Sequence, residues 1–163
     1  MRKRSLFIVL ILTIAGLSLR GENTDSIDVI HYGINLNVNN KINNGHIGFT
    51  DIKFKIISCT YHSVCFMLKN QTVDSVKTLS GQDIPFSYSS PNITLSLPLS
   101  SVGDIMYIRV YYHGGEVIEP YQWGGIHYLS NLVYVLGVAF RDYPHSYARS
   151  WFVAKDSFDD KAT

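Results

Sequence analysis

The chain has 163 residues and a formal net charge of +1, which suits one domain with a hydrophobic core and is too short for a multidomain enzyme. Eleven tyrosines in a chain that is 46% apolar argue against an all-helical domain, because aromatic and branched side chains pack well on the pleated surface of a sheet. Without its first twenty residues the chain loses four basic side chains, and the charge falls from +1 to −3. No basic surface for nucleic-acid binding remains.

The N-terminal segment differs from the rest of the chain. Arg2, Lys3 and Arg4 precede an almost uninterrupted apolar run over residues 6–19. This run is short for a membrane span, and the layout is typical of a secretory signal peptide. We therefore expect residues 1–20 to be a signal peptide, residues 21–163 to be the mature domain, and the protein to be exported to the periplasm, the cell surface or the medium. An uncleaved anchor stays open, because Arg20 spoils a clean small-residue cleavage site.

The first two predicted strands carry alternating apolar residues. Over residues 34–38 apolar side chains alternate with asparagines, which predicts a strand with one wet face. A turn is expected over residues 39–45, which are rich in Asn and end in Gly. In the next strand the apolar side chains move from odd to even positions. This shift predicts a β-bulge near Thr50 and Asp51.

Short apolar stretches continue at regular spacing as far as residue 112. They cover residues 64–68, 73–76, 84–86, 93–97 and 106–112. Clusters of Ser, Gly and Pro separate them and predict turns. The spacing indicates an all-β fold, an antiparallel β-sandwich or a barrel. Residues 132–140 form an apolar run that we interpret as buried, although periodicity does not decide its secondary structure.

The residue types that usually carry chemistry are scattered. The histidines are His31, His46, His62, His113, His127 and His145, and we interpret them as surface or turn residues. No His-Glu-x-x-His helix and no Gly-x-Ser-x-Gly elbow occurs in the sequence, and these are the signatures of a zinc peptidase and of a serine hydrolase. The sequence therefore predicts no catalytic residue, no metal ligand and no cofactor in this chain.

Two further features leave alternatives open. Cys59 and Cys65 stand six apart and either form a disulfide across a hairpin or remain two unpaired thiols, because spacing does not fix their geometry. Aromatic side chains are dense between residues 107 and 128. They form either a sugar-stacking platform or part of the core. The aromatic residues concerned are Tyr107, Tyr111, Tyr112, Tyr121, Trp123 and Tyr128.

The C-terminal fifteen residues read Arg-Ser-Trp-Phe-Val-Ala-Lys-Asp-Ser-Phe-Asp-Asp-Lys-Ala-Thr. This stretch resembles the segment that closes the N-terminal β domain of M1-family zinc aminopeptidases, especially the bacterial branch. The residues that match the motif are Arg149, Trp151, Phe152, Asp156, Phe158 and Asp160. Shorter matches occur in the same order at residues 73–76, 111–115 and 123–126, so the resemblance runs from about Ile27 to Thr163.

The resemblance implies a saddle-like N-terminal β-sandwich whose zinc-binding catalytic domain would follow along the chain. It implies that zinc is bound only in a full-length relative, and that the partners are the missing catalytic domain and, in that context, a peptide substrate. The motif residues would then be structural, locking the end of the β domain. The chain would be inactive alone, as a fragment or truncated product, and would expose apolar surface near residues 132–140 and at Trp151 and Phe152.

The chain also departs from the family pattern. Val153 and Ala154 stand where the family has Pro-Cys. Pro144 stands where many members have a glutamate that holds the substrate's amino group, so that role is not carried over. The alternative function is a free-standing secreted β-sandwich module that binds a carbohydrate or a protein.

Overall fold

The computed structural model describes residues 26–40, 45–58, 63–97, 100–120, 124–137, 146–156 and 162. Within these ranges the secondary structure consists of strands and one short 3-10 helix, Ala148–Ser150. The strands are β1 Ile27–Asn40, β2 Gly45–Ile56, β3 Ser63–Met67, β4 Thr72–Thr78, β5 Phe86–Ser89, β6 Asn92–Ser96, β7 Ile105–Gly115, β8 Val117–Ile118, β9 Gly125–Tyr128 and β10 Val133–Leu136.

The strands form three antiparallel sheets. The large sheet has the order β1-β2-β7-β4, the second sheet β3-β6-β5 and the small sheet β10-β9-β8. Apolar side chains of the large and second sheets meet in one core; Phe54 of β2, for example, packs edge-on against Phe66 of β3. A smaller cluster of Val117, Ile126 and Tyr128 lies under the small sheet. The predicted all-β antiparallel sandwich is confirmed.

The predicted bulge at Thr50 and Asp51 is wrong. Strand β2 pairs without a register shift through these two residues, both with β1 and with β7. The even-numbered side chains from Thr50 to Ile56 are all buried. The β1–β2 pairing has its register shifts instead between Val29 and His31 and between Asn37 and Asn40.

The change in parity along β2 arises because apolar side chains also occur on its outward face. Ile47 is exposed there, and Phe49 is covered by neighbours on β7. The Arg109 guanidinium lies 3.9 Å from the centre of the Phe49 ring, and the Tyr111 ring lies 5.7 Å away. The sequence pattern does not distinguish an outward aromatic residue that is covered in this way from a core residue.

Three predicted turns are confirmed. Gly81 and Gly103 lie in turns with φ of 86° and 99°, in the region that favours glycine. Ser90 and Pro91 form the two-residue connection between β5 and β6. The predicted turn over residues 39–45 falls mostly outside the described residues.

The interpretation of residues 132–140 as buried is wrong for the part that the structure describes. Residues Val133–Leu136 form the edge strand β10, and both Leu132 and Leu136 are exposed. Residues 138–140 lie outside the described residues, as does the predicted signal peptide. In the described ranges there is no helix long and apolar enough to cross a membrane.

Candidate functional site: the closing segment and the small sheet

Residues 146–156, here called the closing segment, turn sharply through the 3-10 helix. The Ser146 hydroxyl accepts a hydrogen bond from the backbone N–H of Ala148 at 3.1 Å. Tyr147 is buried against Gly124, where a Cβ would come within 1.8 Å of the Tyr147 ring. Position 124 therefore has to be glycine for this segment to reach its place.

Two residues of the C-terminal motif form an ion pair within the closing segment. Arg149 Nη1 lies 2.9 Å from Asp156 Oδ2, and the Asp156 side chain is almost fully buried. Burial raises the pKa of Asp156, and the nearby Arg149 opposes that rise without cancelling it. Trp151 and Phe152 pack edge to face at 4.6 Å. Phe158 and Asp160 lie outside the described residues.

The segment then crosses the edges of two sheets. Ala154 exchanges two backbone hydrogen bonds with Met67 of β3, at 2.8 and 3.0 Å. Val153 is fully buried in the main core, and Phe152 packs against Tyr32 of β1 at 5.6 Å. Val153 and Ala154, which depart from the family motif, thus anchor the segment by burial and by strand pairing.

A second ion pair fixes the segment from the other side. Glu119, just after β8, is 1% exposed, and its carboxylate lies 2.5 Å from Lys69 Nζ and accepts a hydrogen bond from the Ser150 hydroxyl. Gln71 Nε2 donates to the carbonyls of Ser150 and Gly115, each at 3.3 Å. Sequence reasoning missed Glu119, because its partners lie 50 and 31 residues away and no motif marks it.

His46 and Tyr128 join the large sheet to the small sheet. His46 Nδ1 lies 2.6 Å from the Tyr128 hydroxyl. Burial, and then the neighbouring His113, lower the pKa of His46 to about 4. Burial, and then Glu116, raise the pKa of Tyr128 to about 12. The buried pair is therefore neutral over the physiological range.

The interpretation of all histidines as surface or turn residues is wrong for two of them. His46 and His127 are buried polar residues, while His31 and His113 are exposed. His62 and His145 lie outside the described residues. Across the described ranges, no three His, Cys, Asp or Glu side chains come together in a way that could hold a metal ion.

The aromatic side chains between residues 107 and 128 divide between two environments. Tyr112 and Tyr128 are buried. Tyr107 and Tyr111 lie on the outward face of β7, where Lys53 Nζ is 5.3 Å from the Tyr107 ring centre. Tyr121 and Trp123 lie outside the described residues. Arg109 lies 6.0 Å from the Tyr111 ring centre, while Tyr107 is 43% exposed, so the sugar-stacking alternative stays a prediction.

Cys65 lies on an exposed position of β3, opposite Thr94. Cys59 lies outside the described residues. The disulfide between them remains a prediction.

The small sheet exposes an apolar row on its outward face. Ile118 and Leu136 both pair with Gly125, so the three positions share one face. Ile118 is 57% exposed and Leu136 41%. Gly125 has φ of 105°, and a Cβ there would lie 1.9 Å from the Val117 carbonyl oxygen. The Val117 carbonyl therefore fills the space where a side chain would stand, and Gly125 itself is buried between the two exposed apolar side chains.

A ring pair and a cavity lie next to these exposed side chains. In the next row of the same face the rings of His127 and Tyr134 stack at 4.7 Å. A cavity of about 240 Å³ lies beside the β9–β10 turn, lined by Val38, Asn39 and residues 128–133. Leu129 and Leu132 at its rim are exposed. The small sheet and its turn thus expose four apolar side chains, those of Ile118, Leu129, Leu132 and Leu136.

The fold matches that of solved M1 zinc metallopeptidases. A mutant of the M1 zinc metallopeptidase from Deinococcus radiodurans, bound to a Tyr-Ser-Ala substrate, matches with a TM-score of 0.69 and 20% identity, over 85% of this chain and 31% of that one. The chain has the fold of the N-terminal domain of such enzymes. Yeast LTA4 hydrolase in complex with bestatin matches with a TM-score of 0.59 and 13% identity, over 86% and 22% of the two chains.

A third match is Legionella pneumophila aminopeptidase A in complex with aspartic acid, with a TM-score of 0.63 and 12% identity, over 85% of this chain and 15% of that one. No protein-family model and no curated protein matches the chain. The likeness therefore lies in the fold, and the chain spans less than a third of the length of these three enzymes. The resemblance drawn from the C-terminal motif is confirmed at the level of the fold.

Proposed function

We propose that the chain is the non-catalytic β domain of an exported M1-like zinc aminopeptidase, which helps to shape the peptide-binding site of an adjoining catalytic region. The fold likeness supports this proposal, because two of the three matched enzymes are described as a zinc metallopeptidase and an aminopeptidase, and this chain covers only 31% or less of each of the three. The catalytic chemistry would then belong to the adjoining region.

The observation that carries the proposal is the exposed apolar face of the small sheet. Ile118 and Leu136 flank the buried Gly125, and Leu129 and Leu132 at the β9–β10 turn are also more than half exposed. Contiguous apolar surface of this kind marks a protein contact in soluble proteins. A neighbouring domain with an apolar surface would cover these four side chains.

The buried charges support a structural role. Glu119 is held by Lys69 and Ser150, and Asp156 is held by Arg149. Each of these carboxylates is engaged in fixing the closing segment, which makes it a poor general base for an external substrate. The purified chain is therefore expected to hydrolyse no peptide.

The gene gives the most direct test. We expect the reading frame beyond Thr163, or an adjacent frame, to encode a His-Glu-x-x-His helix. If neither frame contains one, the proposal is wrong and a free-standing secreted binding module becomes the better explanation. N-terminal sequencing of the exported protein would test export, with a mature end near residue 21 expected.

The docking face can be tested on the encoded catalytic region. Co-expression with the tagged chain should recover both pieces together. Ile118→Asp should reduce recovery at least tenfold, because it places a charge in the apolar row. Leu79→Asp, at an exposed turn of the large sheet, is the matched control and should leave recovery unchanged. Equal recovery with both variants would show that the small sheet is not the contact.

A further inference from the structure

His46 occupies the contact between two sheets of the domain. It lies on β2 of the large sheet, and its hydrogen-bond partner Tyr128 lies on β9 of the small sheet, 82 residues later. The two rings are parallel with centroids 6.2 Å apart, and the Tyr112 ring meets His46 edge-on. Because His46 is only 3% exposed, its protonation state affects the packing between the sheets directly.

The surroundings accept a neutral imidazole and oppose a charged one. A neutral imidazole has one N–H donor and one lone pair, whereas the imidazolium has two N–H donors and a positive charge. The Tyr128 hydroxyl serves Nδ1, while Nε2 is buried with no hydrogen-bond partner among the described residues. Nε2 thus lacks a partner in either neutral tautomer, and a proton added to His46 would introduce a buried positive charge with a single hydrogen-bond partner.

The charged groups around His46 offer it no compensation. His113 on β7 is a second imidazole and is bonded to Asp74 at 2.8 Å. Glu116, the acid that influences Tyr128, lies 3.5 Å from His127 Nδ1 and accepts the backbone N–H of Tyr128. Both nearby carboxylates thus contact other groups.

We propose that His46 is an acid-sensitive joint that holds the small sheet against the large sheet when neutral and releases it when protonated. The joint itself stands apart from the proposed function. Its consequence, that acid would also weaken docking at the outward face carrying Ile118 and Leu136, rests on that function.

The size of the acid response follows from the difference in proton affinity between the two states. The folded pKa of about 4 lies below the ordinary 6.5, so the stabilisation is present above pH 6.5 and is lost as the pH falls towards 4. If His46 regains its ordinary pKa when the small sheet opens, the opening equilibrium at pH 5 should exceed that at pH 8 by about 30-fold. The large sheet should not share this response.

Hydrogen exchange of the full chain at pH 5 and pH 8, corrected for intrinsic rates, tests the joint. Amides of β9 and β10 should open about 30-fold more at pH 5, while those at the centres of β2 and β7 should change less than about threefold. His46→Gln keeps a neutral hydrogen-bonding side chain and should lose the acid response. His31→Gln, an exposed histidine of the same large sheet, is the control and should retain it.

A response that persists unchanged in His46→Gln, or that is equal in both sheets of the unsubstituted chain, would overturn the proposal. If His46→Gln fails to fold, an NMR titration of the unsubstituted chain decides. A midpoint for the His46 ring near pH 4 supports the joint, and a midpoint at pH 6 or above refutes it.

Discussion

Removing Lys69 should destabilise the domain strongly, because its partner Glu119 is a buried carboxylate. The pair is 2.5 Å long, and the side chains of Lys69 and Glu119 are 26% and 1% exposed. Breaking a buried ion pair from one side costs about 3–5 kcal/mol, since the remaining charge is left uncompensated. Water can reach the partly exposed Lys69 position, and Ser150 still donates to Glu119. We therefore expect Lys69→Met to lower the free energy of unfolding by about 3 kcal/mol.

A second pair with the same separation provides the control. Lys77 and Asp83 also lie 2.5 Å apart, but their side chains are 34% and 78% exposed. Exposed pairs contribute about 0–1 kcal/mol, so Lys77→Met should cost no more than that. Because the two pairs have equal separation, a difference in the loss of unfolding free energy between the two variants measures the effect of burial.

Urea denaturation followed by tryptophan fluorescence gives the free energy of unfolding of both variants. The slopes of that free energy against urea concentration are compared, so that a change in the unfolding transition itself is excluded. The double variant Lys69→Met with Glu119→Gln should recover about 2 kcal/mol of the loss, because it removes the uncompensated charge. Equal costs for Lys69→Met and Lys77→Met, within about 0.5 kcal/mol, would refute the view that burial makes Glu119 dependent on Lys69.

Two further predictions concern the closing segment and the small sheet. Because burial raises the folded pKa of Asp156, this group stabilises the folded state at low pH, and the contribution is lost as the pH rises through the folded pKa. Asp156→Asn should abolish that decline in urea midpoints measured from pH 3 to 7. An unchanged decline in the variant would contradict the assignment to Asp156. Gly125→Ala should lower the thermal midpoint of unfolding more than Gly81→Ala does. Both glycines have positive φ, but only at Gly125 would a Cβ meet the backbone, 1.9 Å from the Val117 carbonyl oxygen. Equal shifts of the midpoint would show that the small sheet relaxes around the added methyl group.

The strands themselves could be predicted from local sequence. Alternation over residues 34–38 and 106–112 gave β1 and β7, because a strand repeats every two residues and one face is buried. The glycines at 81 and 103 marked turns for an equally local reason. The same logic failed at Thr50 and Asp51, where local alternation could not reveal that Arg109 covers an outward Phe49.

The closing motif was recognisable because its residues are close in sequence. Arg149 and Asp156 are seven residues apart and pair with each other, so a short stretch of sequence carries the signal. Glu119 and His46 carried no such signal, since Lys69 lies 50 residues from Glu119 and Tyr128 lies 82 residues from His46.

The sequence alone thus predicted the fold class and three of the turns, which depend on side-chain period and backbone preference within short stretches, and its closing motif carried the resemblance in fold. Only the tertiary structure decided which charges are buried, which histidine joins two sheets and which apolar row stays exposed beside Gly125. These properties depend on which distant strands become neighbours. A side chain's charge and exposure are set by those neighbours, and the local sequence does not contain them.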